Sequence, residues 1–219
     1  MGKKAAVIHT TMATIEPLKQ LCKAVMPEVS VSNYLDDSLL PQINREGTIT
    51  QDIRYRFFSL VQAAVLSKPD AMLCACSSVG ELVEELRDII PMPFLRIDEP
   101  MAKQASLICG KVLVCATLAS TLNPTLNLIR RIAQELGSEV SLESLLIQGV
   151  GELLAKGDFV GYDAMLKEIY LKMAAENDLI VLAQASMARA AEDLPPMYRQ
   201  KFLSSPQGGI CALKEALGR

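Results

Sequence analysis

Residues 70–78 read DAMLCACSS and residues 178–186 read DLIVLAQAS. Each stretch opens on Asp, runs through apolar residues to an Ala and closes on Ser, yet Cys76 of the first is answered by Gln184 of the second. A thiolate abstracts protons or attacks carbon. An amide at neutral pH only donates or accepts hydrogen bonds. A second pair of stretches repeats as well. TTMATIEP (10–17) and TLASTLNP (117–124) share the pattern T-x-x-[AS]-T-[IL]-x-P, offset by 107 (117 − 10) against 108 (178 − 70) for the first pair. Two unrelated motifs repeating at nearly one spacing point to two similar half-domains of about a hundred residues each.

The elements that must position these residues alternate. Short apolar, β-prone runs occur at 5–9, 29–34, 71–75, 93–97, 111–116, around 139–142 and at 179–183. Between most of them lie longer stretches with helical spacing, such as DIRYRFFSLVQAAVL and PTLNLIRRIAQEL. Strand alternating with helix predicts a parallel α/β sheet covered on both faces. Ligands bind at the carboxyl ends of such strands, where the chain turns into the next helix. The candidate residues are therefore those just after each apolar run.

After the first and fifth runs these are Thr10, Thr11, Thr117, Ser120 and Thr121; Thr14 and Thr121 read as helix caps, with Pro17 and Pro124 near a first turn. Hydroxyls and free N–H groups at helix starts suit carboxylates. Cys76 stands just upstream of a helix capped by Ser77 or Ser78, where the partial positive charge favours a thiolate. Gln184, Ala185 and Ser186 are the second-half equivalents. His9, the chain's one histidine, ends the first strand and is a candidate second acid/base or a hydrogen-bonded strand-end residue. Asp36, Asp37, Asp98 and Glu99 read as caps or loop residues, with the cleft as the alternative. Cys115 reads as core, and Arg130 and Arg131 as solvated helix residues. Cys74-Ala75-Cys76 lacks the histidine or second cysteine pair of a zinc site, so no metal is expected.

Half of the 219 residues are hydrophobic and the net charge is −3, which gives no electrostatic case for nucleic acid or an anionic membrane. No apolar run approaches the ~18 residues of a membrane span. MGKKAAVIHTTMA reads as a first strand rather than an export signal, and Ala6 breaks the myristoylation pattern. Six cysteines (22, 74, 76, 109, 115 and 211) without an export signal read as reduced thiols, hence a cytoplasmic location.

The chain resembles the aspartate/glutamate/hydantoin racemase superfamily nearly end to end. Cys76-Ser77-Ser78 is similar to the Cys-Asn-Thr of that family's first half. LAQASMA (182–188) is similar to the L-G-C-A-G-M-A form of hydantoin racemases at Leu182, Ala185, Met187 and Ala188, with Gln184 at the cysteine; Thr117–Thr121 resembles the Thr-rich turn that opens the second domain. The resemblance implies two pseudo-symmetric α/β half-domains with mainly parallel sheets, a cleft site facing both Cys76 and Gln184, no cofactor, a small carboxylate substrate and a homodimer. It implies a mechanism in which one thiolate removes the proton on the acidic carbon and an opposite thiol returns one. Gln184 departs from that pattern. The expectation is a cofactor-independent isomerase with Cys76 as its thiol; a one-cysteine decarboxylase or lyase and a non-catalytic carboxylate-binding protein are the alternatives. The expected domains are 1–103, with a C-terminal helix 205–219 packing back on it, and 104–204.

Overall fold

The computed structural model describes residues 2–108 and 110–218; Cys109 lies outside the described residues. The chain divides into one unit of Met1–Pro100 with Pro206–Arg219 and another of Met101–Ser205.

The first unit begins β1 (Lys4–His9), α1 (Ile15–Val25), β2 (Ser30–Leu35), α2 (Leu39–Glu46) and α3 (Gln51–Leu66). It continues through β3 (Ala71–Cys74), α4 (Gly80–Arg87) and β4 (Phe94–Arg96), and α5 (Glu99–Ser106) follows. The second unit runs β5 (Lys111–Ala116), α6 (Ala119–Leu136), β6 (Ser141–Leu146), α7 (Gly151–Ala155), α8 (Phe159–Glu176) and β7 (Leu179–Leu182). After these come α9 (Ala188–Glu192), α10 (Pro196–Arg199), β8 (Phe202–Ser204) and α11 (Ser205–Ala216). Each unit carries a four-stranded sheet, β2-β1-β3-β4 and β6-β5-β7-β8, with every pairing parallel.

Alternation along the central strands fills both faces of each sheet, as period-two side-chain placement requires. In the first unit Ala6, Ile8, Met72 and Cys74 pack with Ile53, Phe57 and Val61 of α3 and with Leu82 and Val83 of α4. On the other face Ala5, Val7, Ala71 and Leu73 meet Leu18 and Cys22 of α1 and Ile210, Leu213 and Leu217 at the chain's end. The second unit follows the same plan. Cys115, Ile180 and Leu182 pack on Tyr162, Leu166 and Tyr170 of α8, while Val112, Val114 and Val181 pack on α6 and on Met101, Ala102 and Ala105 of α5. Each such fully buried large side chain contributes roughly 1.5–3 kcal/mol.

The two fourth strands thus send their following helices in a reciprocal exchange: α5 completes the core of the second unit and α11 that of the first. The fit of α11 explains its paired glycines. A Cβ on Gly209 would stand 2.8 Å from Ile97 O and 3.0 Å from Ile97 Cα, backbone that cannot step aside.

Several local expectations are corrected. EPMAKQAS, which the run of strands and helices above passes over, is a helix, because Met101, Ala102 and Ala105 recur at helical spacing. KFLSS contributes a further strand, which runs straight into α11 with no turn signal between them. Thr14 precedes α1 without making a side-chain cap bond, and Thr121 lies inside α6 rather than at its start. Pro124 also lies inside α6. Ser77 and Ser78 form a 3-10 turn with Val79, so the cap positions fall to Cys76 for that turn and Val79 for α4 rather than to either serine.

Candidate functional site

In the first unit the register Ile8↔Cys74 and the bond from Ala75 N to Ile8 O (2.9 Å) bring the ends of β1 and β3 level. Two residues beyond each, Thr10 and Cys76 come together. Cys76 is half-buried and heads the 3-10 turn of Ser77–Val79. Burial pushes its thiol up; the Thr10 hydroxyl, the N–H groups of Ser78 and Val79 and the Ser78 hydroxyl pull the other way without prevailing. This corrects the expectation of a ready thiolate. A short turn supplies only a few partial charges, and loss of solvation outweighs them. The resting thiol is therefore protonated.

Thr10 is 1% exposed, and its buried hydroxyl has the Cys76 thiol as its neighbour. Ser77 and Ser78, which follow Cys76 in the chain, are buried, while Thr11 is half-buried and accepts from Ala13 N at 3.3 Å.

His9 is fully buried and held at both nitrogens, Nδ1 2.8 Å from Thr14 Oγ1 and Nε2 2.9 Å from Asn33 Oδ1. With Asn33 in that orientation the neutral ring donates from Nε2 and accepts from Thr14 at Nδ1. Burial lowers its pKa, against the opposing pull of Asn33. The unfolded ring titrates near its ordinary value of about 6.5. Below that pH the unfolded chain binds a proton that the folded one refuses, so stability falls as pH drops through about 6.5 and levels off below the folded value. Urea titrations at pH 7.5 and 5.5 are expected to show this loss, and His9→Gln is expected to remove most of it.

Asp37 is exposed, and the other three acidic candidates are held by partners. Asp36 pairs with Arg56 and accepts from Ser38 N at 3.1 Å, and these partners lower its pKa despite partial burial. Asp98 is buried and receives Nε and Nη2 of Arg96, each at 2.9 Å. Glu99 binds Arg87. Arg130 and Arg131 lie on α6 with Asn127 and Glu135 as partners.

The second unit repeats the strand-end geometry, with Cys115↔Leu182 in register and Ala183 N bonded to Cys115 O at 2.9 Å. Here Gln184 occupies the place of Cys76, and its carbonyl is fully employed. Oε1 accepts from Thr117 N (2.6 Å), Thr117 Oγ1 (3.1 Å) and Leu118 N (3.2 Å). The glutamine thereby ties β7 to the turn that starts α6, and only its amide N–H groups remain to meet a ligand. Ser186 is half-buried, with its hydroxyl 3.3 Å from that of Tyr162, which also engages Thr117. Burial raises the Tyr162 pKa, so the phenol stays protonated as a donor. Ala185 and Ser120 are half-buried nearby in the chain, and Thr121 is buried within α6. Tyr162 escaped the sequence reading because in α8 its spacing is that of a core residue; the polar turn it reaches is far along the chain.

The other described cysteines are free and lie within elements. Burial pushes the Cys22 thiol up to about 11 and that of Cys115 up to about 12, and raises Cys74 as well. Among the described residues no three His, Cys, Asp or Glu side chains are grouped to hold a metal ion, and no helix is long and apolar enough to cross a membrane.

Against known families, residues 7–210 match the model of the Asp/Glu/Hydantoin racemase family. The chain belongs to that family. Solved structures agree with its racemase fold. The chain is similar to glutamate racemase RacE1 of Bacillus anthracis (TM-score 0.75, 14% identity, covering 99% of this chain and 82% of that one). It is also similar to a glutamate racemase of Francisella tularensis in complex with D-glutamate (0.73, 13%, 99% and 81%). A third likeness is to the aspartate racemase of Picrophilus torridus (0.71, 13%, 99% and 95%). A search of curated protein sequences finds no match. In this Asp/Glu/hydantoin racemase family member the second strand-end turn carries an amide rather than a thiol.

Proposed function

We propose that this chain is a cofactor-independent, Asp/Glu racemase-like enzyme that acts at the acidic carbon of a small carboxylate or amino acid, with Cys76 as its thiol. One observation carries the reading: among the described cysteines, Cys76 alone stands just past a strand's carboxyl end, half-buried among hydroxyl and N–H donors. Once deprotonated, the sulfur takes the proton from the carbon; the electron pair left behind spreads into the adjoining carboxylate, where such donors stabilise it. Return of a proton to the carbon completes the cycle. Free cysteines throughout the described residues suit a reducing compartment such as the cytoplasm.

A second reading is favoured by two observations together, the protonated resting thiol and the amide at position 184. A single thiol that starts protonated is suited to delivering its proton to one face of a carbanion left by loss of carbon dioxide, as in a one-cysteine lyase.

Incubation in heavy water with aspartate, glutamate and small dicarboxylates separates these. The racemase-like reading expects deuterium at the acidic carbon with change of chirality, and a fall of at least about a hundredfold in Cys76→Ser. Carbon dioxide release with one product enantiomer supports the lyase instead. Exchange that survives intact in Cys76→Ser removes Cys76 from the chemistry.

A further inference from the structure

The two strand-end turns share one plan but are anchored by different means. β3 and β7, the 3-10 turns Ser77–Val79 and Ala185–Met187, and β4 and β8 all correspond at an offset of 108 (179 − 71, 185 − 77, 202 − 94). The registers agree as well, Cys74↔Arg96 in one unit and Leu182↔Ser204 in the other. Position by position, Cys76 answers to Gln184, Gly80 to Ala188, Arg96 to Ser204 and Asp98 to Pro206. In the second unit the turn is tied from within, by Gln184 Oε1 on the Thr117 N–H and hydroxyl and the Leu118 N–H. A cysteine ends at Sγ, two bonds short of a glutamine's Oε1, and a sulfur that reacts has to stay free to do so. Here the anchor comes from β4. The Arg96 guanidinium lies against the first turn of α4, where a Cβ at Gly80 would collide with it. Asp98 grips it at Nε and Nη2, each at 2.9 Å, and Glu84 of α4 supplies a third contact.

The fold itself does not demand this cluster, because the second unit closes the same four parallel strands with serine and proline at those places. Nor is a buried ion pair a strong stabiliser when set against apolar residues of similar size. It is retained in the half that carries the thiol. We infer that Arg96 and Asp98 are a positioning pair for the Cys76 turn: anchored on β4, they hold the first turn of α4, and through it the Ser78 and Val79 N–H groups, in place against the sulfur. The inference deepens the proposed function and rests on its reading of Cys76 as the reacting thiol. The groups that bond the thiol are those of Thr10, Ser78 and Val79, so the pair acts through the turn and not on the sulfur. Main-chain N–H groups stabilise a thiolate only while they point at it.

The test replaces the pair by apolar residues of similar size, Arg96→Met together with Asp98→Leu. No charge is then stranded in the interior, and the melting temperature is expected to stay within about 4 °C of the parent's. Cys76 is read directly, by its rate of alkylation with iodoacetamide from about pH 7.5 to about 9.5, mapped by peptide mass. With the turn no longer held, the rate–pH line is expected to move about one unit to higher pH, a tenfold fall in rate at any one pH. Heavy-water exchange is expected to fall in proportion. Asp98→Asn, which keeps the shape and one acceptor for Arg96, is expected to move the line part of the way. Leu213→Ala opens a cavity on the sheet face away from α4; it lowers the melting temperature and is expected to leave the line in place. Two results overturn the positioning role: a line that stays or moves to lower pH in the double variant and in Asp98→Asn, or one that Leu213→Ala moves as far. Exchange that survives Cys76→Ser removes the catalytic reading and leaves the pair to be judged by alkylation alone. An unmoved line with exchange that depends on Cys76 does the reverse.

Discussion

An Asp98→Ala protein is expected to lose about 3–5 kcal/mol of stability, a fall of roughly 10 °C in melting temperature for a chain of this size. Asp98 is buried, and so is the Arg96 guanidinium it holds in a two-point contact at 2.9 Å. Removing the carboxylate strands that guanidinium with Glu84, a partner on the rim of the cluster, as its remaining ion pair. Arg96 lies against the first turn of α4, where a Cβ at Gly80 would collide with the guanidinium itself. That turn follows directly on the Ser77–Val79 segment carrying the donors to Cys76, so the pair also fixes the thiol's surroundings. Thermal or urea unfolding checks the stability, and a loss below 1 kcal/mol would show that the pair contributes little.

Gln184 offers the second large effect. Gln184→Leu leaves Thr117 N–H, its hydroxyl and Leu118 N–H without the oxygen that now joins them. At about 1–3 kcal/mol for each buried donor left unsatisfied, and with partial relaxation, the expected loss is about 3–5 kcal/mol. Gln184→Glu keeps an oxygen in the seat and adds a charge that main-chain N–H groups stabilise. Its stability at pH 7 is expected within about 1 kcal/mol of the parent's, while the amide's N–H donors are lost. Parallel urea titrations of the two variants make the comparison. Equal, small losses for both would mean that the three hydrogen bonds hold nothing together.

The repeat was legible in the sequence because it rests on residue types that chemistry makes conspicuous: Thr at strand ends, Cys against Gln, Pro after Thr. Strand and helix alternation was legible for the long elements, whose periods span enough residues to register. Phe202–Ser204 was not, since it runs straight into the helix Ser205–Ala216 with no turn signal between them, and Glu99–Ser106 was hidden by a proline and a polar helix face. Within the site the limit was different. Letters show that Gln184 cannot exchange a proton, but not that its oxygen is already taken by Thr117 and Leu118. They place Asp98 after a strand, where a cap or loop role is the ordinary expectation, and cannot show the arginine two residues earlier folding back onto it. Tyr162 is the hardest case, a helix residue whose hydroxyl reaches Thr117 and Ser186 only after the chain has folded.

The traded helices bear on the order in which a nascent chain can mature. Everything the second unit needs, α5 included, has left the ribosome once β8 has emerged. The first unit, although translated earlier, keeps the apolar face of Ala5, Val7, Ala71 and Leu73 without its final cover until α11 arrives. The half made last is therefore the half that can finish first, and the waiting sheet is where a chaperone would find something to hold.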